Sequence, residues 1–97
     1  MLNENECRTI ANALLSAGAK RAPIVRPSQS HPALEMTDAY RIQYFWAEAK
    51  NSAGARLIGH KIGLTSKVMQ RTAQIAEPDH GKIFSDAVYH DGARIEA

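Results

Sequence analysis

The strongest constraint on the fold of this chain is a short segment, Gly59–Ser66, in which a lysine stands two residues from a glycine on either side. Because successive side chains of a β-strand point to opposite faces, Gly59, Lys61 and Gly63 share one face of a predicted strand, and Leu57 continues it. Lys61 therefore stands in a notch of bare backbone. The opposite face is mostly apolar and is expected to pack on a core. Its residues are Ile58, His60, Ile62 and Leu64.

The end of this strand offers a second feature that attracts anions. Thr65 and Ser66 can cap a helix that includes Met69. A helix N-terminus presents free N–H groups and a partial positive charge, so together with Lys61 it predicts a small pocket for a carboxylate or phosphate. The same spacing is also typical of a strand whose glycines serve packing, with Lys61 as a solvated charge at its edge. Spacing alone leaves both interpretations open.

A tight turn is predicted at Glu77–Gly81, where Pro78 fixes φ and the glycine permits a positive φ. If this turn lies over Lys61, Asp79 can pair with the lysine or orient a water molecule as a general base. His80 would then face the same cleft. The alternative is that Asp79 only forms the turn by hydrogen bonding to its own backbone.

A length of 97 residues suits one small domain, and the mixture of helical and strand patterns predicts the α+β class. Gly18 is expected to end the first helix. The predicted helices cover about residues 3–18, 37–51 and 65–74, and the predicted strands cover about residues 56–63, 82–85 and 93–97.

Charge and composition exclude several classes of function. The 12 basic and 10 acidic residues are scattered, which argues against a nucleic-acid surface. No apolar stretch approaches the length of a membrane span. Cys7 lies on the apolar stripe of the first helix and is expected to be buried filler, while His60 is expected in a core. A single cysteine and an acidic, non-secretory N-terminus predict a cytoplasmic location. No histidine spacing suits a zinc site.

Three motifs follow one another along the chain. They are Asp38-Ala39-Tyr40 with Ile42-Gln43, Gly59–Ser66 with Met69-Gln70, and Glu77-Pro78-Asp79 with Gly81. In residue type and separation they resemble the 2-keto-4-pentenoate hydratases, a family that includes 2-oxohept-3-ene-1,7-dioate hydratase and 4-oxalocrotonate decarboxylase. The resemblance implies the N-terminal helical and mixed-strand portion of a fumarylacetoacetase-like fold, without the β-rich catalytic half that follows in the family.

The resemblance also implies a chemistry. Members add water to 2-hydroxypenta-2,4-dienoate-type acids during meta-cleavage degradation of aromatic compounds, with Mg²⁺ or Mn²⁺ in the site. Carried over, Lys61 and Asp79 are the catalytic residues. The implied substrate-binding residues are Gly63, Leu64, Thr65, Ser66 and His80. The family has a tyrosine where this chain has His80, and its metal-binding carboxylates have no counterpart here, so no metal ligand is assigned and the chain alone is expected to be inactive.

Two other functions remain open from the sequence. The first is a decarboxylase of the 4-oxalocrotonate type, because the sister enzyme shares these motifs. The second is a non-catalytic interaction module that binds a partner, or a second copy of itself, through apolar faces such as that of Ile42, Phe45 and Trp46. The expected partner of the enzyme is a small 2-oxo or 2-hydroxydienoic acid, within a homo-oligomer.

Overall fold

A computed structural model describes residues 1–95, and within them it contains four α-helices, two β-strands and a short 3-10 helix. In chain order they are α1 (Glu4–Lys20), α2 (Pro27–Ser30), α3 (Met36–Ser52), β1 (Leu57–Gly63), α4 (Lys67–Ala73), β2 (Asp79–Phe84) and the 3-10 helix (Ser85–Ala87). The chain divides into two compact units, one of residues Met1–Ala53 and the other beginning at Gly54. That they act as one domain stays a prediction. None of the described helices is both long enough and apolar enough to cross a membrane.

Helix α1 begins with a capping box. The Asn3 side chain accepts a hydrogen bond from the Glu6 N–H at 2.8 Å, and the Glu6 carboxylate accepts one from the Asn3 N–H at 3.2 Å. The helix continues past Gly18, where the sequence pattern predicted its end, and stops at Lys20. It stops there because Arg21 adopts the left-handed conformation, with φ of 52°, and caps the helix instead of the glycine.

The core of the first unit lies where α1 and α3 pack together. Cys7 is fully buried as a free thiol, which confirms its prediction as filler. Phe45 and Trp46, on the apolar face of α3, pack against this core and are partly buried. The buried members of the core are Leu2, Cys7, Ile10, Ala11 and Ile42.

A buried carboxylate, that of Asp38, ties the N-terminal segment to α3. Its Oδ2 accepts hydrogen bonds from the backbone N–H of Glu35 at 2.9 Å and of Leu2 at 3.1 Å. Arg41 Nη1 lies 3.5 Å from the other carboxylate oxygen and donates to the Leu2 carbonyl at 3.1 Å. The hydrogen bond from Glu35 is the main cause that lowers the pKa of Asp38, and it outweighs the opposing effect of burial. Asp38 is therefore a structural acid.

Strands β1 and β2 form an antiparallel two-stranded sheet, which we call the ribbon. β2 begins at Asp79, inside the segment that was predicted as a turn, because this residue already pairs with Gly63 of β1. Ile58 is an extra residue in β1, since Leu57 pairs with Phe84 and Gly59 with the preceding residue of β2. This bulge interrupts the alternation, so Leu57 does not continue the face of Gly59 as predicted.

The opposite face of the ribbon corrects a second expectation. Ile62 is 70% exposed and Ile58 is 46% exposed, so at these two residues the face does not pack on a core, whereas Phe84, on the same face at the end of β2, is buried. His60 is exposed as well, and its prediction as a core histidine is wrong. A two-stranded ribbon has only one layer, and an apolar face needs a second layer to be buried.

The remaining predicted elements differ from the structure at their ends. α4 is shorter than the predicted helix 65–74, because Ser66 caps its start and Gln74, in the left-handed conformation with φ of 59°, ends it. Residues 93–95 form no strand, and residues 96–97 of the predicted last strand lie outside the described residues.

Candidate functional site

On one face of the ribbon, each cross-strand pair consists of a glycine and a residue with a side chain. Residues directly opposite each other in an antiparallel ladder project to the same face. The side chains on this face therefore alternate between the strands, and Lys61 is the diagonal neighbour of Asp79. Diagonal neighbours lie roughly 7–8 Å apart, within reach of a long side chain. The three pairs are Gly59 with Ile83, Lys61 with Gly81, and Gly63 with Asp79.

The two glycines beside Lys61 have different reasons to be glycine. A Cβ at Gly63 would lie 2.6 Å from Asp79 Oδ1, closer than side chains tolerate, so the missing Cβ makes room for the carboxylate. A Cβ at Gly59 would lie 4.0 Å from the Cδ1 of Ile83, which is ordinary contact. The space left by Gly63, on one side of Lys61, is thus occupied by the carboxylate of Asp79.

A cleft of about 360 Å³ lies where β1 ends and β2 begins. It brings together five of the seven predicted site residues: Lys61, Gly63, Leu64, Asp79 and His80. Ile62 and Gly81 complete its lining. Ile62 and His80 pair with each other on the face of the ribbon opposite to Lys61 and Asp79, so residues of both faces line the cleft. The other two predicted residues, Thr65 and Ser66, do not line it. Ser66 instead serves α4, because its Oγ accepts a hydrogen bond from the Met69 N–H at 3.1 Å.

The charged groups of this cleft are open to a ligand. Lys61 and Asp79 are both exposed, and within residues 1–95 no ion pair joins them. The cleft thus presents an ammonium group and a carboxylate on one face, with backbone between them. Such a pair can bind an organic anion at the lysine and hold a water molecule or a proton at the aspartate.

The cleft wall contains a feature that sequence reasoning missed. Leu64 adopts the left-handed conformation, with φ of 53°, which costs a non-glycine residue on the order of 1–3 kcal/mol. Gln70 is buried and donates from Nε2 to the Leu64 carbonyl at 2.8 Å. The only sequence signal was the place of Gln70 beside Met69 in the second motif, which gave it no role.

A larger groove of about 610 Å³ lies on the helical unit, but its cations are already engaged. The Arg8 guanidinium stacks 4.1 Å from the centre of the Phe45 ring and pairs with Glu4 at 3.2 Å. Arg41 is held by Asp38 and the Leu2 carbonyl. We therefore regard the ribbon cleft as the candidate site.

The described residues do not make a complete site for a hard cation. Asp79 is the one carboxylate in the lining of the cleft, and residues 1–95 bring no three metal-binding side chains together. Mg²⁺ and Ca²⁺ require about six or more oxygen ligands, of which carboxylates usually supply several. Within the described part of the chain, the donor set therefore does not fit the metal that the resemblance implies.

No protein-family model matches the chain. Curated proteins do: it is 41% identical over 95 residues to 2-oxo-hept-4-ene-1,7-dioate hydratase of Escherichia coli, covering 98% of this chain and 36% of that protein. It is 36% identical over 85 residues to 2-keto-4-pentenoate hydratase of Paraburkholderia xenovorans, covering 88% of this chain and 32% of that protein. The chain thus spans about a third of the length of these relatives.

Solved structures agree on the fold. The 4-oxalocrotonate decarboxylase of Pseudomonas putida G7, complexed with magnesium and adipate, superposes with a TM-score of 0.83 at 22% sequence identity, over 89% of this chain and 33% of that one. At this identity the likeness concerns the fold alone. The hydratase alignments show that most of this chain is similar to members of the 2-keto-4-pentenoate hydratase family, and it spans about a third of their length.

Proposed function

We propose that this chain supplies the acid-binding part of a hydratase site, in a protein that adds water to 2-hydroxypenta-2,4-dienoate-type acids. The observation that carries the proposal is the shared face of Lys61 and Asp79, with a glycine opposite each of them. The relatives named as hydratases support the reaction class. The catabolism of aromatic compounds is the proposed context.

The two charged residues have separate roles in this proposal. The Lys61 ammonium binds the substrate carboxylate and polarises the adjacent 2-oxo group, which favours the ketonised form of the dienol. Ketonisation moves the proton of the 2-hydroxyl group to C5 and gives a 2-oxo-3-enoate. Asp79 then accepts a proton from the water molecule whose oxygen adds to C4 and returns that proton to C3, so the product is a 4-hydroxy-2-oxo acid. The proposed contacts to the substrate are those of Gly63, Leu64 and His80, which line the cleft. Contacts from Thr65 and Ser66, which do not line it, stay a prediction.

The catalytic metal is the part that this chain does not supply by itself. Solved relatives hold magnesium or calcium, and we propose Mg²⁺ or Mn²⁺ for the whole enzyme. Asp79 supplies the one carboxylate in the lining of the cleft, so no step is assigned to the ion here. The 97-residue chain should therefore bind the acid without turning it over.

Acid binding can be tested directly on the chain with 2-oxopentanoate as the probe. An NMR titration should shift the amide signals of residues 59–64 and 79–82, and Lys61→Met should abolish the shifts. Lys82 offers a matched control, because it lies on the opposite face of the same ribbon, opposite His60. Lys82→Met should bind like wild type. Equal loss in both variants would mean that general positive charge, and not the cleft, attracts the anion.

The decarboxylase is the second candidate, because the sister enzyme shares the sequence motifs; the solved 4-oxalocrotonate decarboxylase is similar in fold. That likeness carries no reaction, and the cleft residues do not separate the two chemistries. A product assay on a full-length protein that contains this segment would decide, because the hydratase yields a 4-hydroxy-2-oxo acid and the decarboxylase releases CO₂.

We also propose that the chain associates with itself through its uncovered apolar face. Ile58 and Ile62 expose apolar surface on one side of the ribbon, and a two-stranded ribbon has open edges that can pair with another strand. Association through this face would also be the basis of a non-catalytic interaction module.

We propose a cytoplasmic location for the protein, because Cys7 is a free thiol and such thiols are typical of a reducing compartment.

A further inference from the structure

We propose that Gln70 is a positioning residue that holds Leu64 in its left-handed conformation and so fixes one wall of the Lys61–Asp79 cleft. The conformational part of this inference stands on the geometry of Leu64 and Gln70 alone. Its effect on ligand binding rests on the proposed function.

Leu64 has no local reason to adopt a positive φ. Its φ is 53°, a region that L-residues avoid because Cβ crowds the backbone, and leucine has no short polar side chain to compensate. It lies in the wall of the cleft directly after Gly63. The orientation of its peptide groups therefore determines how the chain leaves β1 beside Asp79. A contact from elsewhere in the unit has to hold it there.

Gln70 supplies that contact from a fixed position. Its side chain is only 5% exposed, and Nε2 donates to the Leu64 carbonyl at 2.8 Å. Its own backbone is tied at both ends of α4: its N–H donates to the Ser66 carbonyl at 3.0 Å, and its carbonyl accepts from the Ile75 N–H at 2.9 Å. A buried donor without freedom to move selects one orientation of the carbonyl it binds.

The hydrogen bond from Gln70 to the Leu64 carbonyl thus joins the two ends of the segment between these residues. Ser66 Oγ caps α4 through the Met69 N–H, and the Gln70 amide returns to the residue where the segment begins. The cap sets the direction of the helix, and the helix sets the position of the amide. This arrangement explains why a buried polar residue occupies a short surface helix: it preforms the cleft before any ligand arrives.

The test is a double-mutant cycle between positions 70 and 64. Gln70→Met removes the donor and keeps the length of the side chain, while Leu64→Gly removes the cost of a positive φ. The one-bond Cα–Hα coupling of residue 64, which distinguishes positive from negative φ, is measured by NMR without ligand. The dissociation constant of 2-oxopentanoate is measured by titration. Gln29→Met, on the exposed helix α2, is the matched control.

We expect Gln70→Met to move the Leu64 coupling toward its negative-φ value and to weaken 2-oxopentanoate binding about fivefold, the loss expected for one hydrogen bond. In the Leu64→Gly background the same substitution should change the affinity by less than about twofold. An unchanged Leu64 coupling, or an equal loss of affinity in both backgrounds, overturns the inference. If the wild-type chain does not bind 2-oxopentanoate, the proposed function fails, and the coupling still decides the role of Gln70.

A second variant, Gln70→Glu, provides a test if the Gln70→Met protein does not fold. Gln70→Glu can donate to the Leu64 carbonyl when protonated and cannot when ionised. In this variant the Leu64 coupling should change with pH, while in the wild-type chain it should stay constant. A coupling that is independent of pH in both proteins would contradict the role of Gln70.

Discussion

Gly63 and Asp79 face each other across the ribbon so closely that a Cβ on the glycine would lie 2.6 Å from Asp79 Oδ1. The glycine is therefore required by the position of a carboxylate. Because Asp79 is exposed, its side chain can rotate away from an added methyl group, so the fold itself tolerates the change.

Gly63→Ala should displace the Asp79 carboxylate and leave stability nearly unchanged, within about 1 kcal/mol, since only one exposed rotamer has to change. We expect the affinity for 2-oxopentanoate to change at least about threefold, because a change of the Asp79 rotamer alters the distance between its carboxylate and the bound anion. The matched control is Gly59→Ala, whose Cβ meets only an ordinary contact at 4.0 Å. Equal affinities of the two variants by NMR titration would contradict this relationship.

Asp38 should make the helical unit sensitive to acid. The backbone N–H of Glu35 lowers the pKa of Asp38 in the folded chain below its unfolded value, which is about 3.9. Its contribution to stability is therefore complete above about pH 4 and is lost as the pH falls through the folded pKa. Thermal midpoints followed by circular dichroism should fall over this window in wild type and fall less steeply in Asp38→Asn. Parallel curves for the two proteins would show that other carboxylates dominate.

The 97-residue chain should not hydrate a dienoate on its own. Residues 1–95 bring no three metal-binding side chains together, and the chain spans about a third of its hydratase relatives. With Mg²⁺ or Mn²⁺ present, the absorbance of 2-hydroxypenta-2,4-dienoate should decay at the rate of a protein-free blank. The full-length Escherichia coli relative, assayed with its own substrate, shows that the preparation and assay detect turnover. Decay above the blank with this chain would disprove the assignment.

The uncovered face of the ribbon should drive self-association. Ile62 is 70% exposed on that face, and replacing it with lysine places a charge where a second copy would have to pack. Light scattering after size-exclusion chromatography should give a larger mass for wild type than for Ile62→Lys. Val25→Lys, at an apolar residue that is 61% exposed in the helical unit, controls for added charge. A monomeric wild type would exclude association through this face.

Part of the site was available from local sequence. Alternation along β1 put Lys61 between two glycines, and Ser66 was identified as a cap, which the hydrogen bond from the Met69 N–H confirms. Capping depends on residues within one turn, and alternation depends on the period of a strand, so both can be deduced without tertiary contacts. The resemblance of the motifs to hydratases was confirmed by the relatives.

Other features depended on residues that are distant in sequence. The register of β1 against β2 placed Asp79 directly opposite Gly63. The bulge at Ile58 turned Leu57 away from the predicted face. Burial of the apolar face was wrongly predicted, because periodicity indicates which side chains share a face and not whether another layer covers it.

The sequence by itself determined the approximate positions of the long helices and of β1, the Ser66 cap and the placement of a lysine among glycines, because these follow from backbone geometry over a few residues. Tertiary structure alone decided that Asp38 is a buried anchor for the N-terminal segment and that Gln70 holds Leu64. The physical reason is that the environment of a polar side chain is set by the donors and acceptors that folding brings to it, and these come from other elements of the chain.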